Sequence, residues 1–181
     1  MIFRDLNLEK NLIENLESLG YKTLTPIQEN SLKYSLEKKD IIARAKTGSG
    51  KTLAFCLPII NNLDKKKYRV QSLILAPTRE LATQIAQTIR EVLRSTPNIK
   101  VLTLCGGVPY KPQVVSLSHE AHIIVGTAGR VLKHINEGNL KLENINTFVL
   151  DEADKMLDMG FFDDISKVSS LLPKQRQTLL F

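Results

Sequence analysis

Cysteine is scarce in this sequence of 181 residues. The only two cysteines, Cys56 and Cys105, stand in apolar surroundings and do not form a C-x-x-C pair. Disulfide scaffolds and structural zinc sites need more such ligands at short spacing, so the sequence excludes both. His119 and His122 are three positions apart rather than four as in H-E-x-x-H, and we interpret them as structural. We expect a protein of a reducing compartment, the cytoplasm.

Long apolar runs are missing as well. No segment approaches the roughly 20 apolar residues that a membrane-spanning helix needs. The first ten residues, MIFRDLNLEK, lack the apolar stretch of a secretory signal. Repeats and low-complexity tracts are also absent. We therefore expect a soluble protein without a membrane partner, and a single domain, because 181 residues suffice for one full core and are few for two.

Acidic residues are fewer than basic ones, and the net charge is +6. This charge permits an anionic partner such as nucleic acid but does not require one. Charge alone therefore assigns no function.

Short apolar runs alternate with longer amphipathic stretches along most of the chain. The runs are DIIARA, SLILAP, KVLTLC, HIIVGT, TFVLDE and TLLF. Strands that are apolar almost throughout, separated by helices, predict a mostly parallel β-sheet with helices on both faces, an α/β fold. Two helices should precede it, the first ending near Gly20 and the second beginning at Thr25 and Pro26. We predict a helical preface, residues 1–36, packed on an α/β domain, residues 37–181.

The segment AKTGSGKT lies where the first strand should turn into a helix. Gly48 and Gly50 permit a tight curl in which successive N–H groups surround an anion, and the helix N-terminus adds its positive dipole end. Lys51 can bind the outer phosphates of ATP, and the Thr52 hydroxyl can bind Mg²⁺. The predicted phosphate-binding residues are Ala45, Lys46, Thr47, Gly48, Ser49, Gly50, Lys51 and Thr52. The alternative is a flexible turn, since Ala45 replaces the first glycine of G-x-x-x-x-G-K-[ST].

Two carboxylates end the run TFVLDE. Strand ends of a parallel sheet share one edge, so Asp151 and Glu152 should lie near the phosphate-binding segment. Asp151 suits Mg²⁺ coordination through water, and Glu152 is placed to orient or deprotonate the water that attacks the γ-phosphate. The predicted catalytic residues are therefore Glu152, Lys51 and Asp151. The alternative is an acidic turn that caps the next helix.

These segments resemble one family, the DEAD-box ATP-dependent RNA helicases. The matching segments, in the family's order, are the Q motif GYKTLTPIQ (20–28), motif I AKTGSGKT (45–52), motif Ia PTRELA (77–82), a glycine doublet (106–107), motif Ib TAGR (127–130) and motif II DEAD (151–154). The resemblance covers essentially the whole chain, as the first of two RecA-like P-loop NTPase domains. It implies that the TLLF strand lies between the strands of motifs I and II.

The resemblance assigns further contacts with ATP. The amide of Gln28 would pair with adenine, and Phe3 would stack on the base. The alternatives are a solvent-facing glutamine and a packing phenylalanine. Asp154 would couple the ATP site to the RNA site.

The same resemblance assigns backbone contacts with RNA. The residues concerned are Pro77, Thr78, Arg79, Gly106, Gly107, Thr127, Gly129 and Arg130. Thr78 and Thr127 are expected to cap helices, and such contacts bind RNA independently of its sequence. Ala128 stands where the family has proline. The alternative is ordinary helix capping and a glycine turn.

The resemblance also predicts what surrounds this domain. A second RecA-like domain with arginine fingers would follow Phe181, in a monomer, and the present 181 residues alone would hydrolyse ATP negligibly. Several segments resemble the bacterial DbpA-type subgroup, which implies ribosomal RNA and ribosome biogenesis. The alternatives are a nucleotide-gated RNA clamp that never unwinds, and a P-loop kinase or transporter ATPase.

Overall fold

A six-stranded parallel β-sheet forms the centre of the computed structural model, which describes residues 1–181. The strands are β1 (Ile41–Ile42), β2 (Ser72–Leu75), β3 (Val101–Leu104), β4 (Ile123–Gly126), β5 (Thr147–Leu150) and β6 (Gln177–Leu180). Their order is β1-β6-β5-β2-β4-β3, and every neighbouring pair is parallel. All six predicted strands are therefore present, and β6, the TLLF strand, lies between β1 and β5 as predicted.

Eight α-helices connect and precede the strands. They are α1 (Lys10–Ser18), α2 (Pro26–Ser35), α3 (Lys51–Asn61), α4 (Arg79–Val92), α5 (Tyr110–Ser118), α6 (Ala128–Asn136), α7 (Ala153–Asp158) and α8 (Phe162–Leu171). Pro26 occupies the first turn of α2, and Gly20 follows α1 with a φ of 87°, as the sequence predicts. None of these helices is long and apolar enough to cross a membrane.

Two apolar cores cover the two faces of the sheet. Ile74 of β2 belongs to the core beneath α1–α4, whereas Leu73 and Leu75 belong to the core beneath α6–α8. Successive side chains of a strand point to opposite faces, so a strand buried on both sides must be apolar throughout. This explains the continuous apolar runs in the sequence.

The helical preface packs on the first of these cores. Leu12, Leu16 and Leu32 are buried there. The Asn15 side chain donates hydrogen bonds to the carbonyl oxygens of Glu91 and Val92, at 2.9 and 2.7 Å. These carbonyls end α4, where backbone acceptors lack partners within the helix. Asn15 therefore joins α1 to the end of α4.

The parallel strands place all of their carboxyl ends along one edge of the sheet. The loops that leave this edge contain five of the six motif segments, and the exception is the Q motif, which spans the loop before α2 and the first turn of that helix. The candidate site lies along this edge, with the phosphate-binding segment after β1 and the acidic pair after β5.

Candidate nucleotide and RNA site

The segment between β1 and α3 is curled, not extended. Gly48 and Gly50 have φ values of 81° and 93°, in the left-handed region that favours glycine. A Cβ at Gly50 would stand 2.5 Å from Nε2 of Gln28 and 2.9 Å from Oγ1 of Thr25. The Lys51 ammonium donates to the carbonyl oxygen of Ala45 at 3.1 Å, so it spans the segment from end to end. The curl places backbone amides at the start of α3, where an anion is favoured.

A buried hydroxyl without a partner indicates whether this segment fits a phosphate. Oγ of Ser49 is buried and has no hydrogen-bond partner within the protein. Buried polar groups in proteins normally have a partner, so a hydroxyl without one favours a ligand oxygen at that place. The residues present therefore fit a nucleotide phosphate.

Asp151 lies at the end of β5, on the same edge as Lys51. The Asp151 side chain is only 3% exposed, and its Oδ1 accepts a hydrogen bond from the Glu152 amide at 3.1 Å. Burial raises the pKa of Asp151 to about 6, although the Lys51 charge acts in the opposite direction. Lys51 and Asp151 are thus close enough to interact through their charges. The structure brings the two predicted groups together.

Glu152 joins the phosphate-binding segment to α7. One of its carboxylate oxygens accepts a hydrogen bond from the Thr47 hydroxyl at 3.3 Å, and the other lies 2.7 Å from the Lys155 ammonium. Its φ of 53° is left-handed, which costs a non-glycine residue roughly 1–2 kcal/mol. Such strain is found preferentially at functional sites, where the surroundings impose it. Lys155 was not among the predicted site residues, although its position three residues after Glu152, in the first turn of α7, is a spacing at which opposite charges meet.

The Asp151 carboxylate and the Thr52 hydroxyl are the candidate metal ligands. Both offer hard oxygen atoms, which Mg²⁺ prefers. No group of three or more His, Cys, Asp or Glu side chains is placed to hold a metal ion anywhere in the chain. One carboxylate and one hydroxyl suit Mg²⁺, which is usually bound by one or two carboxylates and completes its coordination shell with phosphate oxygens and water.

Gln28 connects the Q motif to the phosphate-binding segment. Its Oε1 accepts from the Thr25 amide and its Nε2 donates to the carbonyl oxygen of Gly50, both at 3.0 Å. Gln28 is 2% exposed, so the alternative of a solvent-facing side chain is wrong. Both polar atoms of the Gln28 amide thus hold the Q motif against the phosphate-binding segment, and its pairing with adenine stays a prediction.

Phe3 differs from the expectation of a base-stacking ring. It is 2% exposed and belongs to the apolar core beneath α1–α4. A ring buried in a core offers no face to a base, so the structure shows the packing alternative for this residue.

Motif Ia and the glycine doublet meet at one hydrogen bond. Nη1 of Arg79 donates to the carbonyl oxygen of Gly107 at 3.1 Å. Thr78 caps α4 as predicted, because its hydroxyl accepts from the Leu81 amide at 3.2 Å. Pro77, one of the predicted RNA contacts, is buried in this structure. The guanidinium of Arg79 is thus fixed beside the loop that follows β3.

Motif Ib meets the same loop from the other side. Thr127 precedes α6, but its hydroxyl accepts from the Gly106 amide at 3.4 Å instead of capping α6, which corrects the prediction. Nη1 of Arg130 donates to the carbonyl oxygen of Val108 at 3.1 Å. A Cβ at Gly129 would stand 3.3 Å from the Asp164 carboxylate, so the close approach at this glycine is to α8.

Asp154 is exposed at the start of α7, beside the end of β6. Its Oδ1 accepts from the Lys155 amide at 2.9 Å. The preceding residue, Ala153, donates its backbone N–H to the carbonyl oxygen of Phe181 at 3.0 Å. Asp154 lines a surface cavity together with Lys51 and Phe181, and its role in coupling the ATP and RNA sites stays a prediction.

Comparison with known proteins agrees with this geometry. The profile of the family described as DEAD/DEAH box helicase matches residues 25–181. The chain is 51% identical to the ATP-dependent RNA helicase DbpA of Escherichia coli over 169 residues, which are 93% of this chain and 37% of that protein. It is 44% identical to the DEAD-box ATP-dependent RNA helicase CshA of Geobacillus kaustophilus, over 99% of this chain and 38% of that protein.

Solved structures show the same relationship. A DEAD box protein from the hyperthermophile Methanococcus jannaschii superposes with a TM-score of 0.95 at 41% identity, over 100% of this chain and 49% of that chain. Dbp5 of S. cerevisiae, bound to RNA and ADP BeF3, superposes with a TM-score of 0.91 at 33% identity, over 99% and 46%. The chain thus spans less than half the length of these relatives. The predicted RecA-like fold and the predicted resemblance are confirmed: the chain belongs to the DEAD/DEAH-box helicase family.

Proposed function

We propose that this chain is the ATP-binding and RNA-binding domain of an ATP-dependent RNA helicase that locally separates RNA duplexes. The observation that carries the proposal is the meeting of Lys51, Asp151 and Glu152 on one edge of the sheet, around the curled segment 45–52. Relatives named ATP-dependent RNA helicases, and a neighbour bound to RNA and ADP BeF3, support the same assignment.

The chain's own residues divide the work of ATP hydrolysis. The curled amides and Lys51 bind and orient the phosphates, which is most of what phosphoryl transfer requires. Glu152 would deprotonate or orient the attacking water, and its contacts with Thr47 and Lys155 fix the carboxylate for that task. Bound Mg²⁺, held by Thr52 and Asp151, would neutralise charge on the phosphate oxygens. Gln28 would select adenine.

RNA would bind along the edge that Arg79 and Arg130 share with the glycine doublet. Both guanidinium groups are held by carbonyl oxygens of the loop after β3, so they present their other N–H groups from fixed positions. Arginine and backbone amides bind phosphate oxygens irrespective of base. Recognition by this domain would therefore be independent of RNA sequence.

We further propose that strand separation requires a second RecA-like domain. Residues of both domains would enclose ATP and RNA, and closure would bend one strand so that its partner dissociates. Asp154 would transmit the state of the ATP site. Similarity to DbpA favours ribosomal RNA and ribosome assembly, in the cytoplasm, as the setting.

Comparison of wild type with Glu152→Gln tests this function in the natural full-length protein. We expect RNA-stimulated ATP hydrolysis and duplex separation by the wild type, and a loss of both by the variant of roughly a hundredfold or more, with nucleotide binding retained. Glu143→Gln, the same change at an exposed position, should be silent.

Other outcomes would identify the alternatives. ATP-dependent RNA binding without strand separation would indicate an RNA clamp instead of a helicase. ATP hydrolysis indifferent to RNA would indicate a small-molecule P-loop enzyme.

A further inference from the structure

A buried pair, Gln113 and His134, lies beneath the loop of residues 105–109. Gln113 is 8% exposed and His134 is fully buried, so neither is accessible to the backbone of a bound RNA. Oε1 of Gln113 lies 2.9 Å from Nε2 of His134, and Nε2 of Gln113 donates to the carbonyl oxygen of Cys105 at 3.0 Å. Gln113 thus ties α6 to the first residue of the loop.

The hydrogen bonds determine which nitrogen of His134 carries the proton. Because the amide of Gln113 donates to Cys105, its Oε1 is the atom that faces His134, and an amide oxygen only accepts. His134 therefore carries its hydrogen on Nε2, while its Nδ1 is buried without a partner. Burial, together with the nearby Arg130 charge, lowers the pKa of His134, so the ring stays neutral and the amide orientation of Gln113 is fixed.

The same amide oxygen holds Arg130. Nη1 of Arg130 donates to Oε1 of Gln113 at 3.2 Å and to the carbonyl oxygen of Val108 at 3.1 Å. Both hydrogens of Nη1 are thereby used within the protein. The remaining N–H groups are on Nε and Nη2, which form the edge that binds phosphate through two parallel hydrogen bonds.

Tyr110 supports this arrangement through its ring. The ring stacks on His134 with centroids 4.4 Å apart and 18° between the planes, and the Arg130 guanidinium carbon lies 5.4 Å from its centroid. Its hydroxyl donates to Glu137 at 2.6 Å and accepts from Asn139 at 2.9 Å. The guanidinium is thus supported by an aromatic ring that is itself held in place.

We propose that Gln113 and His134 are positioning residues for RNA binding, which act by holding Nη1 of Arg130 so that its Nε–Nη2 edge faces an RNA phosphate. The inference rests on the proposed function, because that function supplies the phosphate. A guanidinium oriented before binding loses less freedom on contact with RNA, and the gain is measured as affinity. Neither residue is among the site residues predicted from the sequence.

A double-mutant cycle in the natural full-length protein tests the proposal. The probe is a short fluorescein-labelled oligouridylate, titrated in the presence of ADP–BeF3 and Mg²⁺. Gln113→Met removes both polar atoms at similar volume and should weaken RNA binding about fivefold while leaving nucleotide affinity unchanged. In an Arg130→Ala background the same change should have no further effect on RNA affinity, because the residue acts through Arg130.

Two further variants separate positioning from general stability. His134→Gln keeps a donor near the Nε2 position and should retain more RNA affinity than His134→Leu. Gln71→Met is the matched control, because Gln71 is also buried and hydrogen-bonded, to Asp64 and Lys67. It should lower the melting temperature without changing RNA affinity.

The possible results distinguish the two proposals. Suppose that Arg130→Ala weakens RNA binding. If Gln113→Met then has no effect, or if the two effects add in the double variant, the positioning role is overturned and the RNA function stands. A wild-type protein that does not bind the oligouridylate would overturn both.

Discussion

Replacing Asp151 with asparagine should stabilise the nucleotide-free protein, and should do so more at alkaline than at acidic pH. The carboxylate is 3% exposed, and burial raises its pKa from 3.8 to about 6. Between these values the unfolded chain releases its proton while the folded chain keeps it. The free energy of unfolding therefore falls as the pH rises through this window. Asparagine carries no charge, so the variant avoids that loss.

The two pKa values differ by about two pH units, which corresponds to about 3 kcal/mol. Roughly half of this loss in the free energy of unfolding, about 1.4 kcal/mol, occurs between about pH 5 and pH 8. Asparagine retains an oxygen that can accept from the Glu152 amide, so the main hydrogen bond survives. For a chain of this size, that difference is about 3–6 °C in melting temperature.

The assay is thermal unfolding of wild type and Asp151→Asn at about pH 5 and pH 8, without nucleotide and in EDTA. The advantage of the variant over wild type should be larger at the higher pH by the amount given above. Asp154→Asn is the control, because Asp154 is exposed and also accepts one backbone hydrogen bond. If the difference in melting temperature between the variant and wild type is equal at both pH values, or is absent, the ionised Asp151 carboxylate does not destabilise the folded protein and the argument is refuted.

Further predictions concern Gly50 and Asn15. Gly50→Ala should abolish nucleotide binding in titrations with a fluorescent ADP analogue and lower stability by about 1–3 kcal/mol, because the new Cβ would collide with Gln28 and a φ of 93° disfavours alanine. Normal nucleotide binding would show that the segment tolerates a different curl. Asn15→Ala should cost about 1–3 kcal/mol in urea unfolding, since two carbonyl oxygens at the end of α4 lose their donor. Nucleotide affinity should not change, and an unchanged unfolding midpoint would contradict the assigned anchor.

The sheet was predictable because its central strands β2, β4 and β5 are buried on both faces. A run such as the SLIL of β2 cannot serve as a half-exposed strand, and the spacing between runs leaves room for crossover helices. The phosphate-binding segment was predictable for a related reason, since two glycines with left-handed φ are needed at that turn. The apolar runs and the two glycines each involve residues that are close in sequence, so both can be recognised from the sequence alone.

Other features depend on which distant groups the fold brings together. The Thr127 hydroxyl can accept a hydrogen bond either from an amide of its own helix or from the Gly106 amide, and the position of the loop after β3 determines which one forms. Phe3 is an aromatic residue whose type fits either a core or a base, so burial had to be observed. Gln113 lies in an otherwise unremarkable stretch, and its partners Cys105 and His134 are 8 and 21 residues away.

The strand order has a consequence for how the chain acquires its shape during synthesis. β1 lies at the border of the sheet, and its sole neighbour is β6, the last strand in sequence order. Leu179 and Leu180 leave the ribosome long after Ile41 and Ile42 have emerged. β1, which leads into the phosphate-binding segment, therefore remains unpaired until almost the entire domain has been translated. A nascent chain of this protein should remain unable to retain nucleotide until that final strand has been inserted.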